Sequence, residues 1–358
     1  MKILMYSDLH ISKTSSILPN ISDSIYTYRQ KMIIETGKYL ANLADMEKPD
    51  LIINLGDTFD QHTVTSYDIN VASEFFNCFR LINIPHLVLV GNHEMLNGNF
   101  NAIQLLNNIN NVTVISQPSV INTDVLLTST CKTLQPNIQL AFLPYCDYTD
   151  IIDFPKGKYL FSHLDIQGAS LRGNITLKDG ISPDILQQNY NLVFNGHIHK
   201  PSIYKNIINV GSISTHSFAD DNCSVPQCYI FDTDTLNLQT FRPTMCPLFR
   251  KVEVQTQQDL TNYISNLDKN YKYIIHCVCP FEIKQQIKDI LSNNELILNS
   301  RLTVTTNKNT QEVEQQEANN VVEANIDINN SFKQFLEEVD ELKFPKQLYL
   351  DVLNTIER

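Results

Sequence analysis

Residues 51–60 have the sequence LIINLGDTFD, in which a short apolar run is followed by a glycine and then by Asp57 and Asp60. A short apolar run bounded by turn residues indicates a buried strand of an α/β sheet. The glycine indicates a turn at the end of that strand, so both carboxylates are expected at the strand exit. This stretch therefore predicts a strand that delivers acidic side chains to one edge of a sheet.

The same pattern occurs at four more places, where a short apolar run ends in residues that can bind a metal or move a proton. In open α/β sheets, sites form beyond the carboxyl ends of the strands, so the five exits should converge in space. The other runs and their exits are 3–7 with Asp8-Leu9-His10, 86–90 with Gly91-Asn92-His93-Glu94, 159–162 with His163, and 192–195 with Gly196-His197-Ile198-His199.

Helix-compatible stretches lie between the first three of these strands, at residues 26–46 and 66–81. Such alternation predicts βαβ units with parallel strands. Residues 112–142 are rich in Thr and Val and are interrupted by turns, which favours further strands. We therefore predict an α/β fold in which two sheets pack face to face with helices outside, as a four-layer α/β/β/α sandwich.

A smaller α+β unit is predicted after the first domain. Few of its side chains suit chemistry, so we expect this unit to shape or cover a site. The boundaries predicted are 1–245 for the catalytic domain and 246–306 for the small unit. Its elements are expected as strands at 248–255, 271–279 and 295–305 and as helices at 257–267 and 281–291.

The end of the chain has a different composition. Residues 307–329 are rich in Gln, Asn and Glu, which predicts a flexible acidic linker. Residues 330–358 have apolar side chains at helical spacing, interrupted by Pro345, and predict two amphipathic helices. Such helices need an apolar surface, either on their own domain or on a partner protein.

The residue types at the five exits favour a pair of divalent metals. Imidazole, carboxylate and amide oxygen together suit manganese, iron or zinc better than calcium. Two ions about 4 Å apart can share one carboxylate, hold a phosphate between them and lower the pKa of bound water. A histidine that is not a ligand can then protonate the departing oxygen.

Asp-x-His, Gly-Asp-x-x-Asp, Gly-Asn-His-Glu, an isolated His and Gly-His-x-His, in that order, resemble the motifs of the calcineurin-like metallophosphoesterase superfamily. The resemblance covers residues 1–242. It implies that Asp57 bridges two metal ions, that His93 is the proton donor, and that Asp60 is an orienting carboxylate. The remaining ligands that it implies are Asp8, His10 and His199 for one ion and Asn92, His163 and His197 for the other.

Three later features resemble the SbcD-type nuclease subunits of that superfamily. Residues 210–218 are similar to a glycine-serine loop, residues 246–306 to a capping domain, and residues 330–358 to the segment that binds an SMC-like ATPase. This implies a manganese-dependent DNA exonuclease and endonuclease that works with an SbcC-type ATPase, as a homodimer within a heterotetramer, in DNA repair and recombination. The compact length is similar to bacteriophage members of this family, and the high Asn and Ile content would suit an AT-rich genome.

Some residues depart from these patterns. Glu94 stands where SbcD-like proteins more often have Asp, and the Ser162-His163-Leu164-Asp165 motif is a loose match. Gln61-His62 replaces the Arg-Gly of Ser/Thr phosphoprotein phosphatases, which argues against that subfamily. Two alternatives stay open: a phosphodiesterase or phosphatase for small phosphate esters, and a scaffold for an ATPase with vestigial nuclease activity. The position of Asp60 is also compatible with a helix cap.

The charge of −12 argues against strong autonomous binding to nucleic acid, although residues 306–358, with eleven acidic and five basic side chains, carry −6 of it. The scattered basic residues, Lys251 among them, are interpreted as facing solvent. The eight cysteines form no CxxC pair and are expected to be reduced thiols. Apolar runs are far shorter than a membrane span and the N-terminus lacks a signal-peptide core, so we expect a cytoplasmic protein, in the host cytoplasm if viral.

Overall fold

The computed structural model describes residues 1–12, 18, 25–95, 102–124, 137–146, 154–172, 175–215, 217–218 and 225–305. These residues belong to one unit, Met1–Thr305. The predicted linker at 307–329 and the predicted helical segment at 330–358 lie outside the described residues, so both remain predictions.

The described strands and helices follow one another in mixed order along the chain. The strands are β1 (Lys2–Tyr6), β2 (Leu51–Asn54), β3 (His86–Leu89), β4 (Val112–Ile115), β5 (Ser119–Asn122), β6 (Gln139–Leu143), β7 (Tyr159–Ser162), β8 (Ser170–Arg172), β9 (Ile175–Thr176), β10 (Leu192–Asn195), β11 (Ser202–Tyr204), β12 (Ile207–Asn209), β13 (Cys228–Asp232), β14 (Asn237–Phe241), β15 (Leu248–Glu253), β16 (Tyr273–Pro280) and β17 (Ile297–Thr305). The α-helices are α1 (Tyr28–Glu47), α2 (Ser66–Asn77), α3 (Pro183–Asn189), α4 (Gln257–Ser265) and α5 (Lys284–Ser292).

Two six-stranded sheets carry most of the fold, with strand orders β14-β13-β1-β2-β3-β4 and β11-β12-β10-β7-β6-β5. In the first sheet β1, β2, β3 and β4 are parallel, and β13 and β14 add an antiparallel edge. In the second sheet β6, β7, β10 and β12 are parallel, and β5 and β11 are antiparallel edges. The carboxyl ends of the central strands of each sheet therefore lie along one edge of that sheet.

The side chains of the two sheets form three apolar layers. Between the sheets, alternate residues of β1 to β3 pack against aromatic residues of β6, β7 and β10, and Phe161 stacks between Phe142 and Phe194. The other face of the first sheet packs on α1 and α2, and the other face of the second sheet packs on α3. This layering confirms the predicted α/β/β/α sandwich.

The helix starts follow from local sequence. Thr27 and Thr65 each accept a hydrogen bond from the backbone three residues on, and Gln30 and Asp68 bond back to them, which makes two capping boxes. Thr65 therefore caps α2, and Asp60 does not. The helix α2 ends at Asn77, earlier than the predicted residue 81, because the next hydrogen bonds run to the third preceding carbonyl and tighten the chain into turns.

A third sheet, with parallel order β15-β16-β17, makes a small α+β arrangement together with α4 and α5. It belongs to the same compact unit as the other described residues, and the predicted boundary at residue 246 remains a prediction. One face of this sheet packs on the two helices and buries Cys277 and Cys279. Among the described residues, no cysteine is joined in a disulfide. On the opposite face, Phe249 and Ile274 pack against Tyr28 and Phe218 of the preceding part of the chain.

No helix in the described ranges combines the length and the apolar character that a membrane crossing requires.

Candidate metal centre

The nine side chains predicted for the site lie together at the strand ends of both sheets. Asp8 and His10 follow β1, Asp57 and Asp60 follow β2, and Asn92 and His93 follow β3 in the first sheet. In the second sheet, one ligand follows β7 and two follow β10. Contacts of 4.0 Å or less connect all nine into one network.

One half of the centre consists of Asp8, His10 and His199. Their ligand atoms all lie within 4.8 Å of one another. The Nε2 atoms of His10 and His199 are 3.1 Å apart, and Asp8 Oδ1 lies 3.8 and 3.7 Å from them. Two donors that bind one ion at about 2.1 Å lie about 3.0–3.4 Å apart, so the two imidazoles have the spacing of joint ligands.

The other half consists of Asn92, His163 and His197. Asn92 Oδ1 lies 3.0 Å from His163 Nε2 and 2.9 Å from His197 Nδ1. The three donor atoms thus meet at ligand spacing although they come from β3, β7 and β10. His163, which matched its motif only loosely, is fully buried in this half.

The carboxylate of Asp57 lies between the two halves. Its Oδ2 is 3.6 Å from His10 Nε2 and 3.3 Å from His163 Nε2. Its Oδ1 accepts a hydrogen bond of 3.1 Å from the backbone N–H of His93. Gly91 has to be glycine here, because a Cβ at that position would lie 2.0 Å from Asp57 Oδ1. This is the position expected of a ligand shared by two ions.

The backbone of the centre adopts conformations that non-glycine residues usually avoid. Asp8, His10, Asp57 and His197 have φ values between 47° and 68°, in the left-handed region. Each such residue costs about 1–3 kcal/mol, and such residues cluster at functional sites. The strand exits are therefore held in shape by the contacts around them.

Two buried serines hold the loop that carries Asp8. Ser212 Oγ donates to the carbonyl oxygen of Asp8 at 2.8 Å, and Ser214 Oγ donates to that of Leu9 at 3.0 Å. Ile213 N–H donates to Ser7 O at 2.9 Å. The glycine-serine loop thus satisfies the backbone carbonyls of the first motif.

Arg29, from α1, completes this support. Its fully buried guanidinium donates to the carbonyl oxygens of Leu9 at 3.2 Å, His10 at 2.8 Å and Thr215 at 3.3 Å. Because these contacts join α1, the first motif and the glycine-serine loop, Arg29 is a positioning residue for His10.

Three of the imidazoles predicted as ligands have a partner on the second nitrogen. Asp60 Oδ1 lies 3.1 Å from His10 Nδ1, and the carbonyl oxygen of Leu55 lies 2.7 Å from His163 Nδ1. Asp165 Oδ1 lies 2.7 Å from His197 Nε2. Such partners orient the ring and select the nitrogen that faces a metal. They assign Nε2 of His10 and His163, and Nδ1 of His197, to the centre.

Burial and opposite charges act against each other on the pKa values. Burial lowers the pKa of His10, but the contacts with Asp60 and Asp8 and the charge of Asp57 outweigh it and raise the value to about 10. Burial likewise lowers the pKa of His163, and Asp57 raises it to about 9. Burial raises the pKa of Asp8, yet the surrounding histidines bring it down to about 2. The carboxylate is therefore ionised and the two imidazoles hold protons that a metal has to displace.

The donor set fits two divalent cations. Both carboxylate oxygens of the fully buried Asp8 lack a hydrogen-bond partner, which is costly for an ionised group unless a cation balances it. Oxygen and imidazole donors from two sides suit ions such as manganese, iron or zinc. Asp8, His10 and His199 would hold one ion, Asn92, His163 and His197 the other, and Asp57 both.

His93 differs from the ligands because its side chain is 39% exposed. Its Nδ1 lies 2.6 Å from the carbonyl oxygen of Asp60, which can only accept, so Nδ1 carries a hydrogen. Nε2 is then the nitrogen left to exchange a proton. His10, Asp60 and His93 form a third group of possible ligand atoms, but the hydrogen bond to Asp60 already occupies His93 Nδ1.

Sequence reasoning missed the roles of four residues of the site. Glu94 is fully buried and accepts hydrogen bonds from Gly91 N–H at 2.6 Å and Phe59 N–H at 2.8 Å, which joins the second and third motifs. Burial, and then the charge of Asp57, raise the pKa of Glu94 to about 8. The Gly-Asn-His-Glu motif contains Glu94, but it does not indicate that the carboxylate accepts hydrogen bonds from both motifs. The others are Arg29, Tyr145 and Asp165.

Tyr145 follows β6, as the ligands follow their strands. Its N–H donates to Val90 O at 2.9 Å, and its ring centroid lies 6.4 Å from that of His163 and 6.2 Å from that of His197. The apolar run 139–143 before it was the available signal. Asp165 belongs to the loosely matched fourth motif, and Arg29 has no local signal.

The described histidines outside the motifs belong to none of the groups of possible ligand atoms. His62 is exposed, and His86 is buried with Nε2 2.8 Å from the hydroxyl of Tyr6. His276 belongs to β16 of the small unit. His216 lies outside the described residues.

Manganese binding should release protons and strengthen as the pH rises. With pKa values of about 10 and 9, His10 and His163 are protonated at neutral pH, whereas a metal binds neutral imidazole. Affinity should therefore increase until the pH passes these values. Calorimetric titration at pH 7 in two buffers of different ionisation enthalpy should detect about two protons released per chain. A titration without proton release would contradict the protonation that we assign.

Comparisons with known proteins give one family match and several similar solved structures. A family model described as calcineurin-like phosphoesterase matches residues 1–201. Similar solved structures are an archaeal phosphodiesterase (12% identity, 68% of this chain and 100% of that chain covered, TM-score 0.36) and Yfce, a phosphoesterase from E. coli (12%, 68% and 99%, 0.33). A third is TT1561 of Thermus thermophilus (12%, 67% and 98%, 0.38). No curated protein matches the chain.

The family match covers more than half of the chain and includes all nine residues of the centre, the last of which is His199. The phosphoesterases of this family use divalent metals, in agreement with the two ligand groups. The chain belongs to the calcineurin-like phosphoesterase family.

Proposed function

We propose that this phosphoesterase is a manganese-dependent DNA exonuclease and endonuclease, an SbcD-type subunit that works with an SMC-like ATPase in DNA repair and recombination. The observation that carries the hydrolytic part is the position of Asp57, whose Oδ2 lies 3.6 Å from His10 and 3.3 Å from His163, between two complete ligand groups. Two ions that share a carboxylate can bind the two sides of one phosphate.

The chain and its ions have separate tasks in this proposal. The two ligand groups and Asp57 would hold two divalent ions, which would supply Lewis acidity toward the phosphate and lower the pKa of water. Buried carboxylates and imidazoles fix their positions, and the orienting contacts on Nδ1 of His10 and His163 keep the other ring nitrogen in place. The exposed His93 donates the proton that the leaving sugar oxygen needs.

Asp60 has two tasks in the proposed reaction. Its carboxylate lies 3.1 Å from His10 Nδ1, and its carbonyl oxygen lies 2.6 Å from His93 Nδ1. One residue thus orients a metal ligand and the proton donor together. We expect the distance between the phosphate and the donor to depend on this link.

The assignment to an SbcD-type subunit is supported by the order of elements after the centre. The glycine-serine loop contacts the first motif through Ser212 and Ser214. A small parallel α+β unit then follows, and its sheet packs on the catalytic part through Phe249. Both elements follow the last metal motif in the order that the resemblance implies.

The choice of substrate is tested by turnover of linear duplex DNA and of an aryl phosphodiester in manganese. We expect hydrolysis of DNA by the native chain. EDTA should abolish this activity, and a variant with an impaired metal centre should lack it. Hydrolysis of the aryl ester without any cleavage of DNA would favour an enzyme for small phosphate esters. Absence of both activities in a chain that binds manganese would favour a scaffold with a vestigial centre.

Removal of the proton donor should separate chemistry from metal binding. His93→Ala should lower kcat on DNA by about 10²–10⁴-fold, the usual contribution of a general acid, with manganese content unchanged because His93 is not among the assigned ligands. His62→Ala is the matched control, since it removes an exposed imidazole two residues after Asp60. Unchanged kcat in His93→Ala would remove His93 from the mechanism.

The ATPase partner is proposed to bind residues 330–358, which lie outside the described residues. Deletion of this segment should abolish co-purification with the cognate SMC-like ATPase and leave the metal centre loaded. Turnover of the aryl phosphodiester by the truncated chain controls for folding. Retained association after the deletion would refute this contact, and analytical ultracentrifugation of the full chain tests the proposed homodimer.

A further inference from the structure

Three basic residues form a row across the third sheet. In the register of its parallel strands, Lys251 of β15 is paired with His276 of β16, and His276 is paired with Arg301 of β17. Residues paired in this way point to the same face of a sheet. The residues are about 25 positions apart in sequence, and only the pairing of the strands brings them into one row.

The central residue of the row lies between two cationic side chains. Burial lowers the pKa of His276, and the charges of Arg301 and Lys251 lower it further. This favours the neutral imidazole and leaves Lys251 and Arg301 as the two charges of the row.

The face that carries the row is open to solvent where the row lies. Phe249 and Ile274, which precede it on the same face, are buried against the catalytic part of the chain. Lys251 and Arg301 are exposed, and His276 is half-buried. The acidic Glu253 lies two residues beyond Lys251, and Arg301 forms no ion pair within the described ranges.

The row lies near the glycine-serine loop, which holds the first motif of the metal centre in place. The ring of Phe218 lies 5.3 Å from that of Phe249 and 5.4 Å from that of His276. Phe218 is four residues after Ser214, whose hydroxyl bonds to Leu9 in the first motif. Four residues span at most about 14 Å, so the row and the first motif belong to neighbouring surfaces.

We infer that Lys251, His276 and Arg301 form a phosphate-binding row that holds the backbone of the nucleic acid whose cleavage we propose. This inference rests on the proposed function for its substrate. Adjacent strands are about 4.8 Å apart, so the row is about 10 Å long. The charges of one nucleic-acid strand recur about every 3.4 Å along the helix axis, so the two charged ends of the row can each meet a different phosphate. The contacts are independent of base sequence because they involve the backbone alone.

The hydroxyl of Thr303 adds a further polar group to the row. Thr303 Oγ1 lies 2.9 Å from His276 Nε2, two residues along β17 from Arg301. This hydrogen bond fixes one nitrogen of the imidazole on the sheet. Lys251 and Arg301 are consequently the charged groups that a phosphate would meet.

The test compares two double variants with the same change in charge. Lys251→Gln/Arg301→Gln removes both charged ends of the row. Lys38→Gln/Lys48→Gln removes two exposed lysines of α1 and its C-terminal cap, which pair with Glu35 and Asp45. Binding of a short fluorescein-labelled DNA duplex to the full chain is measured by anisotropy in EDTA, which prevents cleavage, over a range of salt concentrations.

For the row variant, the slope of log affinity against log salt should fall in magnitude by about 1.8, because each phosphate that the chain no longer neutralises lowers it by about 0.9. The control variant should retain the native slope, and both variants should retain native turnover of an aryl phosphodiester. An unchanged slope in the row variant overturns the inference, even where the native chain cleaves DNA. Failure of the native chain to cleave DNA refutes the proposed function instead, and the binding slopes still decide whether the row holds phosphate.

Discussion

The carboxylate of Asp57 lies between two imidazoles that come from different sheets, and the rest of the centre depends on this arrangement. His10 follows a strand of the first sheet and His163 a strand of the second, yet both ring nitrogens lie within 3.6 Å of Asp57 Oδ2. The apolar packing between the sheets sets the distance between them, so the geometry of the site depends on the packing of the core. The small residue Gly91 is part of the same constraint, because any side chain there would displace the carboxylate.

Such convergence requires an unusual backbone that neighbouring groups have to stabilise. Four residues of the centre are left-handed, at about 1–3 kcal/mol each. Hydrogen bonds from Ser212, Ser214 and Arg29 to the first motif offset part of this cost, as do those that Glu94 accepts. Neighbouring groups also stabilise the buried imidazoles. His10 and His163 each have a hydrogen-bond partner on Nδ1, which is Asp60 for His10 and the carbonyl oxygen of Leu55 for His163. A preorganised set of ligands can then receive ions without rearrangement.

The sequence was sufficient for the layers and for the strands that precede the motifs, because each motif directly follows an apolar run such as 51–55. The nine predicted side chains come together at these strand ends, and their roles remain predictions. The sequence was insufficient for contacts between distant segments. Nothing near Arg29 signals that its guanidinium reaches the carbonyl oxygen of His10. The alignment of Lys251 with Arg301 likewise depends on strand register, which a bulge after Tyr273 shifts and no local pattern predicts. Tyr145 shows an intermediate case, in which the strand signal was present but nothing indicated that its ring lies beside His163 and His197.

The anomalous scattering of manganese in crystals of the full chain would locate the bound ions directly. We expect two manganese peaks about 4 Å apart, one beside Asp8 and His199 and the other beside Asn92 and His197, with Asp57 in contact with both. A single peak, or a peak held by Asp60 and His93 in place of either site, would contradict a dinuclear centre bridged by Asp57.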